Sequence, residues 1–146
     1  MAKVLTEKNI LWGMILLYII FFGIFTSLRH YNFQTQAWDM GIFAQTFWNT
    51  VNGRFMTNSL EGIKLEVVIK NHFGVHMSPF LLPLAVPYFF IPSPYTLLII
   101  QTIGLALAAW PLYLLAKKVL GDGGWALLIS VVYLFYPSLH WANAFD

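Results

Sequence analysis

The segment FLLPLAVPYFFI, residues 80–91, decides how this chain meets a membrane. It is apolar, it contains Pro83 and Pro87, and the tripeptide Pro-Ser-Pro follows it at positions 92–94. An α-helix of this length reaches about 18 Å at a rise of 1.5 Å per residue, whereas the hydrocarbon core of a bilayer is about 30 Å thick. We therefore predict that this segment is re-entrant or interfacial and does not cross the membrane.

Three other apolar segments are long enough to span a bilayer, namely residues 10–28, 95–116 and 125–142. If residues 80–91 do not span, Lys3 and Lys8 lie on the same side of the membrane as the pair Lys117-Lys118, as the positive-inside rule requires. The sequence thus predicts an all-α integral protein of the plasma membrane with three transmembrane helices. Its N-terminus is expected in the cytoplasm and residues 29–94 in an outer loop.

Composition supports this class and excludes several others. The chain has 146 residues, of which 59% are hydrophobic and only 10% charged, so a soluble domain is excluded. It has no cysteine, which excludes disulfides and thiolate metal sites, and its net charge of +2 is too small for a nucleic-acid surface. We expect residues 1–146 to be one membrane module, the N-terminal part of a longer polytopic protein.

An amphipathic helix is predicted in the outer loop, over WDMGIFAQTFWNTVNG at residues 38–53. One face carries apolar side chains at helical spacing, while Asp39, Thr46, Asn49 and Thr50 fall on the other. Gly53 is a natural helix stop. Asp39 has two readings: it caps the helix by accepting hydrogen bonds from free amides, or its carboxylate acts on a lipid-linked substrate at the membrane boundary.

Three other local patterns predict a strand, a pair of neighbouring histidines and a helix kink. Apolar residues alternate over 63–69, which predicts a short half-exposed strand. His72 and His76 are four residues apart, a spacing that sets both rings on one helix face, although Gly74 and Pro79 disfavour a settled helix. Pro111 predicts a kink near the end of the second span.

A few polar residues of the outer face can carry chemistry. Asp39 and Asp146 emerge on that face in a three-span topology, and with His76 they are candidate ligands of a divalent metal ion, Mg²⁺ or Mn²⁺. Alternatively, Asp39 acts alone as a general base while a metal, His76 or Arg29 stabilises a departing phosphate. Arg29 and Arg54 have a second reading as partners of lipid headgroups.

The chain resembles a large bacterial and archaeal family of predicted membrane proteins, catalogued as a domain of unknown function and related to GT-C membrane glycosyltransferases. The resemblance runs almost end to end and is carried by short clusters of uncommon composition. These are Arg29-His30-Tyr31, Asp39-Met40-Gly41-Ile42-Phe43, Gln45, Trp48-Asn49-Thr50, Gly53-Arg54, His76-Met77-Ser78-Pro79, Pro92-Ser93-Pro94, Leu97, Gln101, Pro111-Leu112-Tyr113, Tyr136-Pro137 and Asn143-Ala144-Phe145-Asp146.

The resemblance implies an enzyme that transfers a sugar from a polyprenyl-phosphate carrier at the outer membrane face. In GT-C enzymes the first outer loop supplies an acidic residue, often the base, which corresponds by position to Asp39. The second outer loop supplies further acids, to which Asp146 would correspond. Residues expected to contact the substrate are Arg29, Gln45, Arg54 and His76. The implied partners are the bilayer, the lipid-linked sugar and the remaining spans of the full-length protein.

Two other function classes remain open from the sequence. A transporter or flippase-like protein would carry broken helices and buried intramembrane polar groups, and Gln101 is nearly alone as a strongly polar side chain within the predicted spans. A non-catalytic assembly or lipid-binding subunit would tolerate replacement of Asp39 by Asn. The sequence favours the enzyme, because its acids lie at the membrane face.

Overall fold

The computed structural model describes residues 6–65 and 71–145, and within these ranges every regular element is helical. The elements are α1 (Glu7–Tyr31), α2 (Ala37–Val51), α3 (Leu60–Leu65), a 3₁₀ turn (His72–Gly74), α4 (Leu81–Phe90), α5 (Pro94–Leu107), α6 (Ala109–Leu120), α7 (Gly123–Leu134) and α8 (Pro137–Ala144). The all-α fold class is therefore confirmed for the described part of the chain.

Within residues 6–65 and 71–145, two helices are long and apolar enough to cross a membrane. They are Glu7–Tyr31 and Pro94–Leu120, the latter being α5 and α6 taken together. A third span is present if α7 and α8, which are bent by 43° at their junction, count as one. The structure thus carries two or three spans, and the three-span prediction corresponds to the upper count.

Contacts divide the chain into two compact units. Unit 1 contains residues 6–32 and 101–145, and unit 2 contains residues 33–100. In unit 1, α7 packs against both α1 and α6, and α8 packs against α1. In unit 2, α2 packs against α3 and α4.

The core of unit 1 combines one stripe of α1 with small residues of its neighbours. Leu11, Ile15, Tyr18 and Phe22 recur at spacings of three and four and are buried. They meet Ala106, Ala109, Ala116 and Ala126, whose short side chains allow helices to approach closely. The remaining large side chains of α1, such as Leu17 and Phe21 at 63% exposure each, form the surface that a bilayer would cover.

Prolines explain the interruptions in the second and third spans. The break between α5 and α6 falls at Ala108, next to Leu107, whose carbonyl lies four residues before Pro111. A proline cannot donate to that carbonyl and its ring clashes with it, so the helix is interrupted one turn before the proline itself. Pro137 is the first residue of α8, a position that needs no backbone donor, and the predicted span 125–142 is therefore a bent pair of helices.

Unit 2 has a helix where the amphipathic helix was predicted, and the hydrophobic segment after it is short. Helix α2 ends at Val51, and Gly53 follows in the left-handed conformation at a φ of 81°. Helix α4 has 10 residues, about 15 Å, and contacts α2 through the buried Tyr88, whose ring lies 5.6 Å from that of Phe47. Its re-entrant or interfacial placement stays a prediction.

The predicted strand at residues 63–69 is wrong for its first part. Residues 63–65 belong to α3, while residues 66–70 lie outside the described part of the chain. The reason is a local helix start that overrides the alternating pattern. The Asn58 side chain accepts a hydrogen bond from the Glu61 amide at 3.0 Å and donates to the Glu61 carboxylate at 2.7 Å, a reciprocal arrangement that favours a helical turn.

A core substitution tests the close packing of unit 1. Ala126 is fully buried, so Ala126→Leu forces α7 away from its neighbours, and we expect the free energy of unfolding in detergent to fall by about 1–3 kcal/mol. Val132→Phe on the same helix is the control, because Val132 is 58% exposed and its added bulk meets no core. Equal stability of the two variants would contradict this packing.

Candidate functional site

Asp39 lies in the first turn of α2 and is half-buried. The helix begins at Ala37 after Gln36, so Asp39 is its third residue and does not occupy the cap position. Within the described residues its carboxylate makes no hydrogen bond and no ion pair. The capping interpretation is therefore wrong in its geometry, although the helix dipole still favours a negative charge there. An acid in this state is available to a substrate.

The polar face of α2 is covered by the loop that follows the helix. Asn49 donates to the Thr57 carbonyl at 2.8 Å, and the Thr50 hydroxyl accepts from the Met56 amide at 2.9 Å. Thr46 is fully buried and receives a hydrogen bond from Asn58 at 3.2 Å. These groups share one side of the helix as predicted, but their partners are loop groups, and the loop is thereby fixed against α2.

Beneath this loop lies a buried pair that the sequence analysis did not identify. Glu61 and His72 are 5% and 3% exposed, and the Glu61 Oε1 atom lies 2.9 Å from His72 Nδ1. The other carboxylate oxygen of Glu61 accepts from Asn58, and the His72 amide donates to the Met56 carbonyl at 2.7 Å. The pair thus links helix α3, the 3₁₀ turn and the loop that contains Met56 and Asn58. The Asn-x-x-Glu pattern at 58–61 indicates the hydrogen bonds between Asn58 and Glu61, but it does not indicate the contact between Glu61 and His72.

Ring contacts connect this pair to Phe43 of helix α2 and to His76, which is a predicted site residue. The His72 ring meets Phe43 at a centroid distance of 5.6 Å and His76 at 5.7 Å. Phe43 is four residues after Asp39, and residues at this spacing lie one above the other on a helix, about 5–6 Å apart. Through Phe43 and His72 these contacts connect α2, the helix that carries Asp39, with the exposed His76.

Gln45 and Arg54, the other predicted substrate contacts in unit 2, differ in their availability. The side-chain oxygen of Gln45 accepts from both the amide and the hydroxyl of Ser59, at 3.0 and 3.1 Å, so it already holds the loop. Arg54 is exposed, and its guanidinium makes no hydrogen bond and no ion pair with the described residues. Of these two, Arg54 has its polar group free for an anionic ligand.

Arg29 belongs to unit 1 and is engaged at the end of α8. Its Nη1 atom donates to the Ala144 carbonyl at 2.8 Å, and the guanidinium lies 6.0 Å from the Phe25 ring centroid. Gln101 donates to the Ala142 carbonyl at 2.8 Å and more weakly to that of Phe145 at 3.4 Å. Two side chains thus satisfy carbonyls that a helix end leaves open. Asp146 lies outside the described residues.

Unit 1 also buries more polar side chains than its sequence suggested. Asn143 is 1% exposed and accepts a hydrogen bond from the Thr102 hydroxyl at 3.0 Å. Its Nδ2 atom and the Tyr18 hydroxyl have no hydrogen-bond partner among the described residues. Gln101 is therefore one of several polar groups in these helices.

The donor set for a metal ion is sparse in the described ranges. No group of three or more His, Cys, Asp or Glu side chains there is arranged to hold a metal ion. Asp39 and His76 are both available, whereas their predicted co-ligand Asp146 is not described. The predicted Mg²⁺ or Mn²⁺ site at these three residues stays a prediction.

Comparison with known proteins assigns a family and no activity. A family model described as a predicted membrane protein, DUF2079, matches residues 29–146. The chain belongs to the DUF2079 family. The match to DUF2079 includes all of unit 2, and residues 29–32 and 101–145 of unit 1. No curated protein and no solved structure matches the chain.

The buried pair makes unit 2 sensitive to a single change. Replacing Glu61 by Leu removes the acceptor of the His72 ring and of Asn58, and a buried donor left without a partner costs about 1–3 kcal/mol. We expect Glu61→Leu to lower the free energy of unfolding by at least this amount, measured by denaturant titration in detergent. Arg54→Leu is the control, because that side chain is exposed. A change no larger than the control's would show that the pair contributes nothing to stability.

Proposed function

We propose that this DUF2079 protein is a membrane glycosyltransferase of the GT-C type, using a polyprenyl-phosphate-linked sugar as donor at the outer membrane face. The observation that supports this most directly is the free, half-buried carboxylate of Asp39. It stands in the first turn of a helix that begins six residues after the first span ends. That is where a base must lie to reach a substrate whose lipid tail remains in the bilayer.

In the proposed reaction Asp39 accepts the proton of an acceptor hydroxyl as its oxygen attacks the anomeric carbon of the sugar. The bond between that carbon and the phosphate oxygen breaks, and polyprenyl phosphate leaves with the electron pair. Cations stabilise the charge that develops on the leaving group. Arg54 and His76 in unit 2 are the proposed contacts, because both are exposed.

A divalent ion fits this scheme only in part. Mg²⁺ keeps several waters and binds through one or two carboxylates together with substrate phosphates. One free carboxylate, such as that of Asp39, is therefore enough to hold this ion when a substrate phosphate is bound as well. The proposed ligands are Asp39, His76 and Asp146. The ion would supply positive charge to the leaving phosphate.

A transporter or flippase is the second candidate, and one feature of unit 1 favours it. The bent pair α7 and α8 is a broken helix, and the buried Asn143 at its end has an unpaired amide nitrogen. Intramembrane polar groups of this kind often line a substrate path. The transporter reading requires Asn143 for function, and the enzyme reading requires Asp39, so variants of these two residues separate the candidates.

Replacement of Asp39 by Asn tests the proposed base. The amide cannot accept the proton, so we expect the transfer rate to fall by about 10²–10⁴-fold, with the protein still inserted and folded. The measurement is transfer from a radiolabelled polyprenyl-phosphate sugar by the full-length protein in membranes. Asp122→Asn is the matched control, since Asp122 caps α7 and Asn caps as well. Unchanged transfer in Asp39→Asn would refute the assignment.

The proposal also requires Asp39 to face the outside of the cell. The chain has no cysteine, so single-cysteine variants can be labelled without background. We expect Asn32→Cys and Ser78→Cys to react with a membrane-impermeant maleimide in intact cells, whereas Gly124→Cys reacts only after the cells are opened. The opposite pattern would place the site on the cytoplasmic face and remove the basis for this reaction.

A further inference from the structure

The two histidines of unit 2 are joined by a single tight turn of the backbone. The His76 amide donates to the His72 carbonyl at 2.8 Å, which is the four-residue hydrogen bond of an α-helix, and it continues the 3₁₀ turn His72–Gly74. The rings of the two histidines are 5.7 Å apart between centroids, with their planes at 50°. The turn therefore brings two imidazoles together despite the glycine between them.

This separation suits a shared metal ion. Two imidazoles that bind one ion at about 2.0–2.1 Å per nitrogen have ring centroids about 5–6.5 Å apart. The observed distance falls inside that range. His76 is exposed and gives the ion a route to solvent, whereas His72 is 3% exposed and is fixed in position.

Glu61 would hold the His72 ring in position at such a site without binding the ion itself. When Glu61 accepts a hydrogen bond from His72 Nδ1 across their 2.9 Å contact, the Nε2 atom of a neutral His72 keeps its lone pair for a ligand. A ligating histidine almost always donates its second ring N–H to a carboxylate or carbonyl, which fixes the ring and raises its basicity. Glu61 is itself held by Asn58 through two hydrogen bonds.

We propose that His72 and His76, with Glu61 behind His72, form a site for a borderline divalent transition-metal ion such as Zn²⁺ or Co²⁺. Imidazole nitrogens select these ions, whereas carboxylates and waters suit Mg²⁺. In the described ranges no third His, Cys, Asp or Glu completes the set, so water or a ligand oxyanion fills the remaining positions. The site shares His76 with the proposed contacts of the sugar transfer, but binding of Zn²⁺ or Co²⁺ by the two imidazoles does not require that activity.

The test is a Co²⁺ titration of the full-length protein in detergent, purified without a polyhistidine tag and followed by the visible absorption of the bound ion. We expect one site per chain, from which Zn²⁺ displaces Co²⁺ and Mg²⁺ does not. Glu61→Gln keeps a hydrogen-bond acceptor but loses the charge, and it should weaken binding about 10–100-fold. His76→Gln should weaken it at least as much, and because His76 is exposed this variant should fold.

Two controls make the outcome decisive. His30→Gln removes a histidine of unit 1 and should leave Co²⁺ binding unchanged, as should Asp39→Asn. Equal binding by wild type and His76→Gln, or an equal loss in His30→Gln, would mean adventitious surface binding and overturn the proposal. A loss in Asp39→Asn as large as that in His76→Gln would overturn the two-histidine ligand set and place the ion at the acid instead.

Discussion

The thickness of the hydrocarbon layer, about 30 Å, sets what each apolar segment of this chain can be. Helix α1, at 25 residues, exceeds it, and so do α5 and α6 taken together at 27. Helix α4, at 10 residues, cannot reach across it. Neither α7 nor α8 can cross alone, and the 43° bend between them decides whether they act as one span. Length thus governs the architecture before any side chain is considered.

Helix positions were predictable where one strong local signal acts alone. The apolar run of α1, the glycine stop after α2 and the proline break before α6 all follow from rules that need no tertiary information. The strand expected over 63–69 is wrong at residues 63–65, because an alternating pattern of this length is a weak signal. The side-chain hydrogen bonds of Asn58 at the start of α3 outweighed it.

The candidate site was harder to predict, because its residues come together through contacts between distant parts of the sequence. The sequence pointed to Asp39 and to the pair His72 and His76, because acids and imidazoles are rare in an apolar chain. It gave no reason to connect Glu61 with His72, since the partners are 11 residues apart and join only after the loop folds back on α2. Asn143 was likewise recognised only as part of a motif, because its burial depends on packing against α5 and α1. Long-range proximity is the information a single sequence lacks.

The hydrogen bond from Arg29 to the end of α8 also affects how charge is counted along this chain. The carbonyl end of a helix carries a partial negative charge, and here a guanidinium satisfies it directly. A cation held in this way is a component of the helix bundle and no longer a free loop charge. Among the basic residues that follow the apolar part of α1, Arg29 therefore counts with the helix bundle of unit 1, whereas the exposed Arg54 belongs to unit 2.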